Sequence, residues 1–79
     1  MKLLNHPIEM IAVFDIDGKI TPAKFRYEDK VVRVEKIIKR QKEKLAGNER
    51  WVFTCMHQQN YLYELKYEID TQKWFLFKK

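Results

Sequence analysis

Two apolar-rich runs joined by Asp15-Ile16-Asp17-Gly18-Lys19 fill Ile8 to Tyr27, IEMIAVFDIDGKITPAKFRY, and they constrain the fold more than any other stretch. Strand formers lie on both sides of a strong hairpin-turn pair, Asp17-Gly18, and Gly18 can take the positive φ that a side chain would penalise. The stretch predicts a β-hairpin. In its first strand Ile8, Met10, Ala12 and Phe14 share one face, and Glu9, Ile11, Val13 and Asp15 share the other. Apolar residues on both faces predict a strand covered on both sides at its middle. The second strand, Ile20 to Tyr27, contains Pro22, which cannot donate to a ladder and favours an edge, a strand start or a bulge. Phe25 is expected to point inward, with Lys24 and Arg26 outward.

Glu28-Asp29 then predicts a tight turn into a β-branched run from Lys30 to about Lys39, with a bulge near Lys36-Ile37 where the inward parity shifts. Gln41 to Glu49 is rich in helix formers and ends at Gly47-Asn48, so it reads as a charged loop with a short helical turn allowed near 40–47. Arg50 to His57 places Trp51, Phe53 and Cys55 on one face. Gln58-Gln59-Asn60 turns the chain into Tyr61 to Ile69, where Tyr61, Tyr63, Leu65, Tyr67 and Ile69 alternate with Glu64, Lys66 and Glu68. That is the cleanest amphipathic strand in the chain. Asp70-Thr71-Gln72 leads to a last strand, Lys73 to Phe77, anchored by Trp74 and Leu76. The expected fold is all-β: a small antiparallel barrel or meander of five or six strands, SH3-like, because closure removes edges that invite aggregation.

Seventy-nine residues allow one domain, 1–79. A chain this short buries only about 60% of its unfolded surface, so its eleven aromatics matter as large contributors to burial. Residues 1–7 read as a flexible lead-in, since Asn5-His6-Pro7 breaks any regular pattern. The lone cysteine, Cys55, cannot form an intrachain disulfide. Ile8 to Phe14 is too short, and too interrupted by Glu9, for a signal peptide or membrane span. The chain therefore reads as cytoplasmic, with no membrane partner.

Charge is distributed unevenly. Residues 24–44 hold nine Lys or Arg against four Asp or Glu, and the whole net +5 lies there. Lys24, Arg26, Arg33, Lys36, Lys39, Arg40, Lys42 and Lys44, with Arg50 just beyond, form the expected polyanion-binding set. Tyr27, Trp51 and Tyr61 offer stacking surfaces, although Trp51, Phe25 and Trp74 are expected in the core. Small barrels bind single-stranded nucleic acid through such backbone charge and aromatic platforms.

Other constellations are incomplete. Cys55 and His57 form a C-x-H pair, but His6 is the only other histidine, and a structural zinc site normally needs four ligands. No serine occurs, which excludes a serine nucleophile. A calcium loop would require a third acidic position and a closing Glu, both missing near Asp15 and Asp17. No catalytic, metal or cofactor residues are assigned.

Ile11-Ala12-Val13-Phe14-Asp15-Ile16-Asp17-Gly18-Lys19-Ile20 resembles the first motif of the haloacid-dehalogenase superfamily. That resemblance implies Asp15 as phosphoryl-accepting nucleophile and Asp17 as general acid/base, both serving Mg²⁺. It covers ten residues, Lys19 replaces the usual Thr, and the helices such a fold requires are not predicted. A second resemblance covers most of residues 8–77. Pro22-Ala23-Lys24-Phe25-Arg26-Tyr27, Val32-Arg33-Val34, Ile37-Ile38, Tyr63-Glu64-Leu65 and Trp74-Phe75-Leu76 resemble a family of small uncharacterised bacterial proteins with a P-x-x-F-x-aromatic, Y-x-L and W-x-L pattern. Some of its members are encoded near translesion DNA polymerases, which implies a nucleic-acid-linked role. The expected function is thus a non-enzymatic module for nucleic acid or another polyanion. The alternatives are a protein-interaction module or homodimer and, more remotely, a phosphatase-like activity through Asp15 and Asp17.

Overall fold

The computed structural model describes residues 1–58 and 60–79. It contains seven strands and no helix: β1 Leu3–Phe14, β2 Ile20–Tyr27, β3 Lys30–Arg33, β4 Lys36–Leu45, β5 Asn48–His57, β6 Tyr61–Glu68 and β7 Lys73–Lys78. All paired neighbours are antiparallel, in the order β3-β2-β1-β7-β6-β5-β4. The edge strands β3 and β4 are consecutive in sequence, separated only by Val34 and Glu35. In a flat sheet, six spacings of about 4.8 Å would hold them about 29 Å apart. The three Cα steps from Arg33 to Lys36 reach at most about 11 Å. The sheet therefore curls into a half-barrel.

Alternation decides what the curl encloses. Phe53, Cys55, Leu65 and Leu76 are fully buried on the inner face, surrounded by Ile20, Phe25, Tyr63, Tyr67 and Trp74. Trp74 stacks on Phe53 at 5.7 Å and meets Tyr67 at 4.9 Å between ring centroids. Phe25 meets Tyr63 at 5.9 Å, which joins β2 to β6 across the curl. Phe25, Tyr63, Leu65, Trp74 and Leu76, which carry the P-x-x-F and Y-x-L…W-x-L resemblance, are all buried.

Several expectations need correction. There are seven strands rather than five or six, because the run from Lys30 to Lys39 breaks at Val34-Glu35 where the chain passes from one sheet edge to the other. The Val34 N–H donates to the Ala23 carbonyl at 2.9 Å, pinning that corner to β2. The helical turn near 40–47 is instead strand β4 and a two-residue turn, Ala46-Gly47, joining the paired Leu45 and Asn48. Pairing with β5 overrides the helical propensity of Lys39 to Leu45. Residues 3–7, expected as a lead-in, begin β1. Leu3 pairs with Lys78, His6 with Leu76 and Pro7 with Phe75, and the Lys2 and Lys79 backbones exchange hydrogen bonds. Asn5, at φ 47°, sits where that register shifts.

Other local readings hold in part: the turn and bulges fall at or close to the expected places, and β1 is covered on one face rather than the expected two. The chain bulges at Ala23, since Ile11 faces Lys24 while Ala12 faces Pro22, and the β4 register shifts at Ile38. Glu28 and Asp29 both have positive φ between paired Tyr27 and Lys30, as a type I′ turn requires. Gln59 of the expected Gln58-Gln59-Asn60 turn lies outside the described residues. The β1 strand is covered on one face only. Ile8, Met10 and Ala12 are half-buried, whereas Ile11, Val13, Phe14 and Ile16 are exposed. Pairing of β1 with β7 stops at Ile8, so the β1–β2 hairpin projects as an arm.

Ala46 holds φ 51° beside Gly47 at 85°. An L-residue in this region costs about 1 kcal/mol that Asn largely avoids, and Asn-Gly is the preferred type I′ pair. Ala46→Asn should raise the thermal midpoint by about 4 °C, measured by circular dichroism; an unchanged or lower midpoint would contradict the turn geometry.

Candidate functional site

Of the nine basic residues singled out in the sequence, the structure neutralises several within the fold. Arg40 points inward at the seam between β4 and β2. Its guanidinium lies over the Phe53 ring at 5.0 Å, donates to the Ile20 carbonyl, and donates to Thr21 Oγ1 at 3.1 Å. Lys42 is on the same face, 2.7 Å from Glu49 and over the Trp51 ring. That ammonium holds the Glu49 carboxyl below the usual glutamate range, with a smaller contribution from nearby Lys44. On the outer face Arg50 lies 3.7 Å from Glu43 and 3.3 Å from Glu68. Lys66, 2.8 Å from Glu43 and over Phe77 at 3.6 Å, extends this network. Arg26 has a loose, exposed pairing with Glu9 at 4.0 Å.

Lys24, Arg33, Lys36, Lys39 and Lys44 remain, and among the described residues none has a carboxylate within ion-pair distance; Lys44 lies apart from the others, at the far end of β4 opposite Glu49. Lys24 and Arg33 are directly opposed on β2 and β3, while Lys36 and Lys39 face Met56 and Thr54 across β4 and β5. Their neighbours Phe25, Val32 and Ile37 pack on the core, so strand alternation puts these four on the outer face. Arg33 and Lys36 flank the two-residue corner. Fold topology thus gathers four unpaired cations around one edge-to-edge junction.

Sequence reasoning missed the inner side of that corner. Between β2–β3 and the β5–β6 end, a cavity of about 310 Å³ opens at the mouth of the half-barrel, walled by Phe25, Tyr27, Val32, Tyr61, Leu62 and Leu76. His57, Gln58, Tyr63 and Lys79 supply its polar groups. The Tyr63 hydroxyl and His57 Nδ1 are buried without a hydrogen-bond partner among the described residues. Glu35 Oε1 approaches His57 Nδ1 only to 3.6 Å, and accepts from the Gln58 N–H at 3.4 Å. Cys55 lies beside Tyr63, but the thiol and phenol do not reach hydrogen-bond geometry. The spacing of Cys55, His57 and Tyr63 in alternating strands was the available signal; what it lacked was the position of Glu35 across the fold.

Burial pushes the Cys55 thiol up to about 12 and raises the Tyr63 phenol, with Cys55 and then Glu35 adding to the latter shift. The D-x-D-G segment has a local role. Asp15 Oδ1 accepts from the Asp17 N–H at 2.9 Å and the Lys19 N–H at 2.8 Å, and its carbonyl accepts from Gly18 at 2.9 Å, closing the hairpin loop. Among the described residues no three His, Cys, Asp or Glu side chains gather as metal ligands. Comparisons with family models, curated proteins and solved structures give no match to this chain.

Two outcomes test this geometry. Arg40→Met removes a charged donor from two partners and should lower unfolding free energy in urea by about 1.5–3 kcal/mol. Lys39→Ala, one residue away but outward, should change it by no more than about 0.5 kcal/mol; equal effects would contradict the seam. Because the Cys55 and Tyr63 protons are held more tightly folded than unfolded, both contribute stability at neutral pH that falls as pH rises from about 9 toward 12. Tyr63→Phe should flatten that alkaline decline. Iodoacetamide at pH 8 should alkylate Cys55 in urea and leave the folded protein unmodified.

Proposed function

We propose that this protein is a non-enzymatic, SH3-like binding module for single-stranded nucleic acid or a similar polyanion, engaging it through Lys24, Arg33, Lys36 and Lys39. The observation that carries the reading is that these four cations share the outer face of one corner and have no carboxylate partner, while Arg40 is engaged at the seam and Lys42 and Arg50 are paired with carboxylates. Unpaired cations held at fixed spacing by strands can replace the counterions condensed on a phosphate backbone. The net +5 charge favours such encounters, and the resemblance to proteins encoded beside translesion polymerases points the same way. A buried single cysteine suits a reducing compartment such as the cytoplasm.

A specific observation favours a second reading, self-association or a protein partner. The β1–β2 arm exposes Ile11, Val13, Phe14 and Ile16, and β1 has no strand beside its β7-side edge beyond Ile8. Such an edge can accept an added strand.

Binding of a fluorescent ten-nucleotide oligothymidine, measured by anisotropy across a salt series, separates the two. Four phosphate contacts predict a slope of log K against log salt of about −3. Neutralising Lys24, Arg33, Lys36 and Lys39 should abolish most of the affinity and slope, whereas neutralising Lys42 should leave both nearly intact. Absence of binding at low salt, together with a mass that rises with concentration in analytical ultracentrifugation, would replace the first reading with the second.

A further inference from the structure

The mouth cavity has a composition that the core does not explain. Its walls are aromatic and aliphatic from two halves of the sheet, yet it contains two buried polar atoms, the Tyr63 hydroxyl and His57 Nδ1, with no hydrogen-bond partner among the described residues. Tyr63 is 5% exposed, so its hydroxyl has been withdrawn from water without a replacement hydrogen bond. Leaving such a group unsatisfied costs about 1–3 kcal/mol, and a sequence that needed only packing could place Phe there. At the rim, Tyr61 is 66% exposed and presents a ring to the opening, while Lys79 supplies a cation over Tyr27. A cavity of about 310 Å³ lies at the small end of the ligand-pocket range.

We infer that this mouth is a base pocket, in which one planar heteroaromatic ring of a nucleotide lies against Tyr61 and Tyr27 and exchanges hydrogen bonds with the Tyr63 hydroxyl and His57 Nδ1. The chemistry selects that class. A purely apolar ligand leaves both polar atoms unsatisfied, and a compact anion wastes the aromatic walls. A heteroaromatic ring offers a face for stacking and edge groups that both donate and accept. The phenol stays protonated throughout the physiological range and can always donate. His57 presents an acceptor or a donor according to its tautomer, and Glu35, 3.6 Å away, biases it toward a proton on Nδ1. Glu35 also limits where phosphate can go: its carboxylate lies 3.6 Å from His57 Nδ1, which directs phosphates toward Lys79 or around the corner toward Lys36. A free nucleotide and an unstacked base of a single strand present the same ring.

The inference rests on the nucleic-acid reading above for the identity of its ligand, and the test separates the two. ¹⁵N-labelled protein is titrated with adenosine monophosphate, with a ten-nucleotide oligothymidine and with an abasic oligomer of equal length. Shifts centred on Tyr61 to Tyr63 and Leu76 with the base-bearing ligands, absent with the abasic oligomer, support the pocket. Tyr63→Phe should then weaken oligothymidine binding about three- to tenfold, and Tyr61→Ala about tenfold, with abasic binding unchanged. Tyr61 is exposed, so its variant tests the pocket even if Tyr63→Phe alters packing. Equal binding of both oligomers with shifts confined to Lys24, Arg33, Lys36 and Lys39 would overturn the base pocket and leave the polyanion module standing. Shifts at the mouth with adenosine monophosphate and no oligomer binding would support a free-nucleotide pocket and overturn the polyanion module. No response to any of the three would overturn both.

Discussion

The two-residue connection between β3 and β4 is the constraint from which the rest of this fold follows. These strands are the two edges of a seven-stranded sheet, and Val34-Glu35 can join them only if the sheet bends back on itself. Bending creates an inside, and strand alternation then sorts the sequence between inside and outside without further specification. Closure of the seam is not a continuous ladder between β3 and β4. It consists of the Val34–Ala23 hydrogen bond at one point and the Arg40 guanidinium at another, reaching from β4 to the start of β2. Two point attachments leave an opening, and the mouth cavity lies at the end where β2–β3 and β5–β6 do not meet.

Bulges make that bend compatible with side-chain packing. Ala23, opposite the Ile11–Ala12 step, shifts the alternation of β2 and lets both Ile20 and Phe25 reach the core although they lie five positions apart. The shift at Ile38 does the same on β4, moving inward parity from Ile37 to Arg40. The charge layout follows from these shifts. Without the Ile38 bulge, Arg40 would lie outward with Lys36 while Lys39 turned inward, and the seam would lose its clamp. A one-residue irregularity thus decides which cations hold the fold and which face solvent. Lysines on β4 also guard an edge against strand addition, a role compatible with phosphate contact because both need an unpaired ammonium outside the sheet.

Much of the strand content was legible because it depends on local alternation. Tyr61 to Ile69, Arg50 to His57 and the Glu28-Asp29 turn required no knowledge of distant partners. The illegible parts were those in which a partner outranked local preference. Lys39 to Leu45 has helical composition, and only pairing with β5 makes it a strand. Leu3 to Pro7 carries helix- and strand-breaking signals, and only β7 holds it. Ion pairs were least visible of all: Glu43 reaches both Arg50 and Lys66, and Arg40 reaches Ile20, through register and curl rather than sequence spacing. The same holds for the mouth, whose Glu35, His57 and Tyr63 come from three different stretches of chain. A charge count in the middle third was therefore a sound guide to where cations are dense and a poor guide to which of them are free.

Half of the basic corner and one wall of the mouth are two sides of the same strands, β2 and β3. Lys24 and Arg33 alternate with Phe25 and Val32 along β2 and β3, so any change of register that moved the cations inward would carry the cavity walls outward. Lys36 faces Met56, one residue from His57. Here β2 and β3, which fix two of the four cations outside, also wall an apolar opening with two polar atoms that have no hydrogen-bond partner among the described residues. The proposed ligand, a polymer of phosphates and planar bases, would use both chemistries: charge for its backbone and an enclosed aromatic wall for a ring that has left its stack. On that proposal the Glu35 carboxylate, 3.6 Å from His57 Nδ1, would disfavour phosphate beside the imidazole and leave that place to the ring.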